Sequence, residues 1–186
     1  MPLRLSLTGS PHVARGNDGP TIPLSPRDAV MLTWLIIVGP TTRAQMAAML
    51  WPDRGEDQAR NSLRQRLFQL RRQVGADLVL GTTTLELASE VTHDLDVGSP
   101  LLGEMGLPEC PSLHAWLQAM REKRARQQRT VLIERLDALE AQGDWNGSLP
   151  LAEALVEVEP LSEHAHRRVM RLHYLAGDRA AALLAF

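Results

Sequence analysis

The sequence predicts a small α+β domain followed by an all-α domain, and three observations lead to this fold class. At the amino terminus, short segments alternate apolar and polar residues, as strands with one buried face do. Three segments of helical periodicity follow between residues 26 and 74. After about residue 111 only helical spacing is found, and one pattern recurs after 34 residues. The 186 residues are enough for two small domains, each with its own core.

Composition and charge restrict the classes of function. The whole chain carries a formal net charge of −2, but residues 1–88 contain ten arginines against seven acidic residues. The amino-terminal part is therefore the better candidate for binding a polyanion. Cys110 is the single cysteine and cannot form an intramolecular disulfide, and no apolar stretch is long enough for a signal peptide or a membrane span. We therefore expect a soluble, cytoplasmic protein with no membrane partner.

Three short strands are predicted first. Leu3–Thr8 alternates leucine with polar residues, the period of a strand that is buried on one face. His12–Arg15 and Thr21–Leu24 are the second and third strands, and turn residues at Gly9–Pro11 and Asn17–Pro20 separate them. The chain is therefore expected to begin with a small sheet.

Three helices are predicted next, each from a start signal and a stop signal. Proline suits the first turn of a helix, threonine caps one, and acidic residues stabilise a first turn through the helix dipole. Glycine ends helices, and proline disfavours helical backbone in the residue before it. These signals place the helices at Pro26–Val38, between Thr42 and Trp51, and at about Glu56–Val74 with Gly75 as the cap.

The third helix is the most informative element, because the thirteen residues from Arg60 to Arg72 hold five arginines and no acid. One side carries an apolar stripe that would face a core, formed by Leu63, Leu67, Leu70 and Val74. The other side presents Arg60, Asn61, Arg64, Gln65, Phe68, Arg71 and Arg72. Asparagine and glutamine pair bidentately with adenine, arginine pairs with guanine, and an apolar ring contacts the thymine methyl. The pattern therefore indicates a surface for the major groove of DNA, and a solvent-exposed helix without that role is the alternative.

A β-hairpin is predicted after this helix, with strands at Leu78–Leu80 and Leu85–Leu87. Strands, three helices and a terminal hairpin form the pattern of an OmpR-type winged helix-turn-helix, in which the third helix enters the groove and the hairpin is the wing. Candidate phosphate contacts are the hydroxyls at the tip of the hairpin and the arginine that opens the second helix. These residues are Thr82, Thr83, Thr84 and Arg43, and simple solvent exposure is their alternative.

The expected domain limits follow from composition. The winged helix is expected at residues 1–90, a linker rich in glycine, proline, serine and acid at 91–110, and a helical domain at 111–186. The polar stretch Arg121–Thr130 interrupts two apolar stripes, so the first helix of this domain is expected to have an exposed middle.

An internal repeat characterises the helical domain. Gly143-Asp144 matches Gly177-Asp178 at an offset of 34 residues, the tetratricopeptide (TPR) period, and Pro160 lies where such a helix pair would turn. Each pair in this architecture needs its neighbour to complete burial. Phe186 falls inside a further expected helix, so we interpret the domain as truncated, its apolar end belonging to a longer protein or to an interface with another copy.

Several short motifs resemble a known family of regulators. The first part of the chain resembles the winged-helix region of the Streptomyces antibiotic regulatory protein (SARP) family at Trp51-Pro52-Asp53, Gln58-Ala59-Arg60, Ser62-Leu63-Arg64-Gln65 and Leu70-Arg71-Arg72. The second part is similar to the bacterial transcriptional activator domain of that family at Trp116-Leu117, Arg121-Glu122, Glu159-Pro160-Leu161-Ser162-Glu163, Ala165-His166-Arg167-Arg168, Met170, Gly177-Asp178 and Ala182-Leu183.

This resemblance implies a function and a set of partners. It implies a transcriptional regulator that binds direct repeats in promoter DNA, usually as two copies, and that contacts RNA polymerase. Carried over by position, the residues of its recognition helix are Arg60, Asn61, Arg64, Gln65, Phe68, Arg71 and Arg72. A homodimer is compatible with this mode of binding.

No pattern in the sequence indicates catalysis, a cofactor or a metal. The histidines His164, His166 and His173 lack cysteine or carboxylate ligands at zinc-like spacing, so we interpret them as packing or surface residues. No nucleophile accompanies the nearby glutamates, and no phosphate-binding GxxxxGK[ST] loop occurs. We therefore expect a regulator and not an enzyme. The alternative is a helical-repeat adaptor whose winged helix binds protein and not DNA.

Overall fold

The computed structural model describes residues 3–16, 19–95 and 100–185. The chain divides into two compact units, Met1–Arg121 (unit 1) and Glu122–Phe186 (unit 2). Asn17 and Asp18 of the second predicted turn, residues 96–99 of the predicted linker and the chain end at Phe186 lie outside the described residues.

The order of elements confirms the predicted fold class, a strand-containing domain followed by a helical one. Unit 1 holds seven strands within the described residues, β1 Leu3–Ser6, β2 His12–Arg15, β3 Thr21–Pro23, β4 Thr41–Thr42, β5 Val79–Leu80, β6 Thr84–Leu87 and β7 Val91–His93. The helices of the described chain are α1 Pro26–Ile37, α2 Arg43–Leu50, α3 Glu56–Val74, α4 Pro111–Ala141, α5 Trp145–Val158, α6 Glu163–Leu175 and α7 Arg179–Leu184.

Two small sheets surround the three helices of unit 1. The amino-terminal sheet has the strand order β3-β2-β1-β7, in which β7 lies parallel to β1 and the other pairs are antiparallel. The second sheet has the order β4-β6-β5. The sequence analysis did not predict β4 and β7, since strands of two and three residues carry too little alternation to be recognised.

A buried carboxylate fastens β7 to the first strand. The Asp94 side chain accepts hydrogen bonds from the Ser6 hydroxyl at 2.7 Å, the Leu7 amide at 2.7 Å, and both the amide and the hydroxyl of Thr8. Burial raises the pKa of the Asp94 carboxyl, but the hydrogen bonds from Leu7, Ser6 and Thr8 outweigh burial and hold this pKa below its ordinary value. The carboxylate therefore joins residues that are almost 90 positions apart in the sequence.

The structure differs from the predicted linker between residues 91 and 110. Over the described part of this segment, Leu101, Leu102, Leu107 and Cys110 are buried in the core of unit 1. The first turns of α4 join the same core, where Trp116 packs on Trp34 of α1 with ring centroids 4.8 Å apart. Glycine and proline occur both in linkers and in irregular buried segments, so composition alone does not separate the two cases.

The guanidinium of Arg121 organises this irregular segment. It donates hydrogen bonds to the carbonyl oxygens of Leu101, Gly103 and Met105 at 2.7 to 2.8 Å. Leu102 has a positive φ of 55°, unusual for a residue with a branched side chain. The three hydrogen bonds satisfy carbonyl groups that no regular element pairs, which holds the segment in place.

Unit 2 contains the rest of α4 together with α5, α6 and α7. Its core is formed by Leu136, Ala152, Leu155, Ala165, Val169 and Leu172. The repeat predicted from the sequence has a structural cause: Gly143 and Gly177 adopt positive φ angles of 73° and 90°, and the next residue caps the following helix. The Asp144 carboxylate accepts from the Gly147 amide and that of Asp178 from the Ala181 amide, both at 2.9 Å.

A buried arginine connects the helices of unit 2. Arg168 on α6 pairs with Asp137 and Glu140 on α4, and Glu140 also binds Arg171. Pro160 lies in the turn between α5 and α6, as predicted. Within the described part of the chain, no helix is both long and apolar enough to cross a lipid bilayer.

We expect Asp94→Asn to lower the free energy of unfolding by about 2–3 kcal/mol at pH 7, because an amide nitrogen replaces an acceptor and leaves buried donors unpaired. The folded-state pKa lies below the unfolded value of about 3.9, so the stabilisation is complete above that value and is lost as the pH falls through the folded-state pKa. Urea titrations followed by circular dichroism over a pH series measure this difference.

The exposed Asp53, replaced by Asn, is the matched control, with an expected change within about 0.5 kcal/mol. A difference between the parent chain and Asp94→Asn that stays constant down to pH 3 would contradict this account.

Candidate nucleic-acid interface

Helix α3 buries its apolar side and exposes the side that the sequence analysis selected. Ala59, Leu63, Leu70 and Val74 are buried, and Leu67 packs partly against the same core. All seven residues predicted for the DNA-facing side are exposed, namely Arg60, Asn61, Arg64, Gln65, Phe68, Arg71 and Arg72. Phe68 is 65% exposed, although a phenylalanine without an external partner is ordinarily buried. One side of this helix is therefore held by the fold while the other is open.

Local sequence explains where α3 begins and ends. Glu56 and Asp57 occupy its first turn and Arg71 and Arg72 its last, and both pairs have the charge that the helix dipole favours. Gly75 caps the helix in the left-handed conformation with a φ of 69°. The Arg15 guanidinium donates to the Val74 carbonyl at the same end.

The exposed arginines of α3 differ in their ion pairs. Arg60 pairs with Glu56 one turn earlier, and the Arg71 Nε lies 3.3 Å from the Asp77 carboxylate. Arg64 and Arg72 make no ion pair with any residue that the structure describes. Their guanidiniums can therefore bind an external group without first leaving a carboxylate.

The wing is attached to the start of α2. The Arg43 amide donates to the Thr83 carbonyl and its guanidinium to the Gly81 carbonyl, both at 2.9 Å. Thr42 of β4 pairs with Thr84 of β6, and Gly81 has a φ of 104° that allows the tight turn. The Nε of Arg43 is buried and has no hydrogen-bond partner among the described residues.

A cleft of about 420 Å³ lies between α2, α3 and the tip of the wing. It brings together six of the predicted site residues, Arg43, Arg60, Asn61, Arg64, Thr82 and Thr83, and is completed by Thr42, Ala44 and Leu63. Phe68 and Arg71 line a neighbouring cavity of about 170 Å³ beside the wing, which Arg43 also borders. Gln65, Arg72 and Thr84 are exposed and line neither cavity.

Two residues that matter for this surface were not among the predicted site residues. Thr42 contributes to the cleft, and its hydroxyl accepts from the Gln45 amide as the cap of α2. Arg66 faces the fold and not the cleft, and it binds Asp28 of α1. The sequence carried a signal for Arg66, since at 100° per residue it lies only about 20° around the helix from the buried Ala59, at the edge of the buried side.

One of the three histidines noted in the sequence, His166, contacts the turn before α6. The Nε2 of His166 lies 2.9 Å from the Pro160 carbonyl oxygen in the turn before α6. Among the residues described, no group of three histidine, cysteine, aspartate or glutamate side chains is arranged to hold a metal ion.

Similarity to known proteins agrees with this architecture. Residues 98–186 match the family model described as Bacterial transcriptional activator domain. Among solved structures, the chain is similar to Mycobacterium tuberculosis EmbR in complex with a low affinity phosphopeptide, with a TM-score of 0.61 and 19% sequence identity. The similarity covers 98% of this chain and 57% of that chain, so the present chain spans little more than half the length of EmbR. No curated protein matches the chain.

The fold is therefore that of a winged helix joined to a TPR-like helical domain. Residues 98–186 are a bacterial transcriptional activator domain, the domain that the SARP resemblance predicted for this part of the chain.

Proposed function

We propose that unit 1 binds duplex DNA in a sequence-specific manner, with α3 in the major groove and the wing on the adjacent backbone. The observation that carries this proposal is the exposure of seven polar, cationic and aromatic residues on one side of a helix whose other side is buried. A major groove about 12 Å wide admits a helix of this kind. The proposal places the protein in the bacterial cytoplasm, where promoter DNA lies.

The exposed side chains have the chemistry that base reading needs. The amides of Asn61 and Gln65 suit the adenine edge, and the exposed guanidinium of Arg64 suits the two acceptors of guanine. The ring of Phe68 suits a thymine methyl. Arg60 and Arg71 would exchange their carboxylate partners for phosphate oxygens, while Arg72, which has no ion-pair partner among the described residues, would bind directly.

The cleft at the tip of the wing suits a backbone phosphate. Arg43 supplies a cation there, and the hydroxyls of Thr82 and Thr83 supply neutral donors from the other wall. Thr84 extends this row of hydroxyls along β6. Phosphate contacts fix the register of a protein on the duplex but carry no sequence information directly.

Selection of binding sites from a random duplex library by the unaltered chain tests the proposal. We expect an enriched sequence that contains direct repeats and binds at least about a thousandfold more tightly than random duplex, with affinity that falls as salt rises. Fluorescence anisotropy at two salt concentrations measures both quantities. A chain that enriches no sequence and shows no salt-dependent binding would instead favour the protein-binding adaptor.

Replacing Arg64 by Ala separates base reading from general attraction. If Arg64 pairs with a guanine, its loss weakens binding to the selected site by about 1–3 kcal/mol. The affinity for random duplex then changes much less. The matched control is Arg167→Ala in unit 2, which removes an exposed arginine of the same charge and should alter neither affinity. Equal weakening of selected and random DNA would refute base reading by Arg64.

Replacing Arg43 by Gln tests the phosphate contact. We expect selected and random duplexes to lose affinity alike, and the slope of log affinity against log salt to decrease by about one. Arg43→Lys retains the charge and should recover most of the affinity. A loss confined to the selected site would show that Arg43 reads a base.

Unit 2 is proposed to contact RNA polymerase, because it exposes apolar side chains that a folded chain ordinarily buries. Leu161 is 99% exposed, Leu183 78% and Leu184 88%. Exposed apolar patches of this kind mark protein interfaces. A second copy of the chain, bound to the adjacent repeat, is the other partner that the family resemblance implies.

The double substitution Leu183→Ser and Leu184→Ser tests this role. We expect unchanged affinity of unit 1 for the selected duplex but reduced transcript synthesis from a template that carries it. Sedimentation of the parent and variant chains distinguishes the two partners, because loss of self-association would assign the patch to a second copy. Undiminished transcription together with unchanged sedimentation would contradict an interface at this position.

A further inference from the structure

One of the five arginines between Arg60 and Arg72 faces the interior of unit 1. The Arg66 side chain is 25% exposed, and its Nε donates to an Asp28 carboxylate oxygen at 2.6 Å. One terminal nitrogen donates to the other carboxylate oxygen and to the Ser25 hydroxyl. The Asp28 side chain is 1% exposed, so this ion pair lies between α3 and α1 and not at the DNA-facing surface.

The anchor of Arg66 is itself held in place. Ser25 is the amino-terminal cap of α1, where its hydroxyl oxygen accepts from the Asp28 amide at 3.3 Å and lies 2.9 Å from the Asp28 carboxylate. The next four residues, Ala29–Leu32, are fully buried. The carboxylate that receives Arg66 therefore belongs to the first turn of a helix that is fixed in the core.

Apolar packing and this ion pair restrain α3 in different ways. Burial of the leucine stripe is non-directional, so it fixes which side of α3 faces inward but tolerates small rotations of the helix about its axis. A planar guanidinium that binds both oxygens of a carboxylate defines a direction and a distance. A rotation of about 15° would displace an atom roughly 6 Å from the helix axis by about 1.5 Å, which is enough to break hydrogen bonds to base edges.

We propose that Arg66 and Asp28 form a positioning pair that fixes the rotation of α3, and thereby sets base discrimination without touching DNA. This inference rests on the proposed function of unit 1. Attraction between arginines and phosphates tolerates a displacement of this size, because it depends on charge over a longer range. The pair therefore controls the ratio of specific to random affinity more than the affinity for DNA in general.

The test uses the full chain with Arg66→Lys and Arg66→Gln, the selected duplex and a random duplex, at two salt concentrations. Arg66→Lys keeps the charge and the apolar stem but loses the two-pronged geometry. We expect it to lower the specific-to-random ratio about tenfold through the selected site alone, with random affinity and its salt slope unchanged. Arg66→Gln should lower this ratio further. If Arg66→Gln does not fold, the result for Arg66→Lys alone tests the proposal.

Asp94→Asn is the matched control, because it weakens unit 1 through hydrogen bonds to Ser6, Leu7 and Thr8 and leaves the Arg66–Asp28 pair unaltered. At a temperature where circular dichroism shows both variants folded, we expect Asp94→Asn to retain the specific-to-random affinity ratio of the parent chain. A folded Arg66→Lys chain with the parent ratio, or an equal decrease in Asp94→Asn, would overturn the positioning role alone. Absence of specific binding by the parent chain would refute the proposed function as well, so the two failures are distinguishable.

Discussion

The ion pair between Asp28 and Arg66 is the contact on which the orientation of the exposed α3 surface depends. A carboxylate that is 1% exposed is costly to bury unless a partner and hydrogen bonds compensate for lost hydration. Here the partner is on the helix proposed to enter DNA, and the hydrogen bonds come from the cap of α1. Stability of the core and placement of the proposed reading surface are therefore properties of the same few atoms.

Charged side chains that make several hydrogen bonds also occur where unit 1 lacks regular structure. Asp94 accepts four hydrogen bonds directly after the end of β7, and Arg121 donates to three carbonyls of the segment before α4. In each case one charged side chain satisfies several backbone or hydroxyl groups that no strand or helix pairs. Unit 1 consequently extends beyond the wing and includes the first turns of α4.

Unit 2 is built on a different principle, the repetition of a short pattern. A glycine with positive φ ends one helix and the following aspartate caps the next, at Gly143-Asp144 and again at Gly177-Asp178. Each of these signals acts within a few residues and can therefore be recognised in the sequence. The two copies are separated by 34 residues. The match of residues 98–186 to a bacterial transcriptional activator domain agrees with a helical domain in this part of the chain.

The sequence by itself determined the order and type of the main elements, the exposed and buried sides of α3 and the repeat in unit 2, because periodicity and capping act over short distances. Only the tertiary structure decided which arginines are available for the proposed contact with DNA. Five lie within the thirteen residues from Arg60 to Arg72, but Arg66 faces Asp28, Arg60 and Arg71 have acidic partners, and Arg64 and Arg72 make no ion pair within the described residues. The sequence also did not determine whether the segment before α4 is a linker or part of the core of unit 1. Composition does not reveal whether its carbonyls will contact a guanidinium from another part of the chain. Contacts between residues far apart in the chain depend on the complete fold, and no local pattern encodes them.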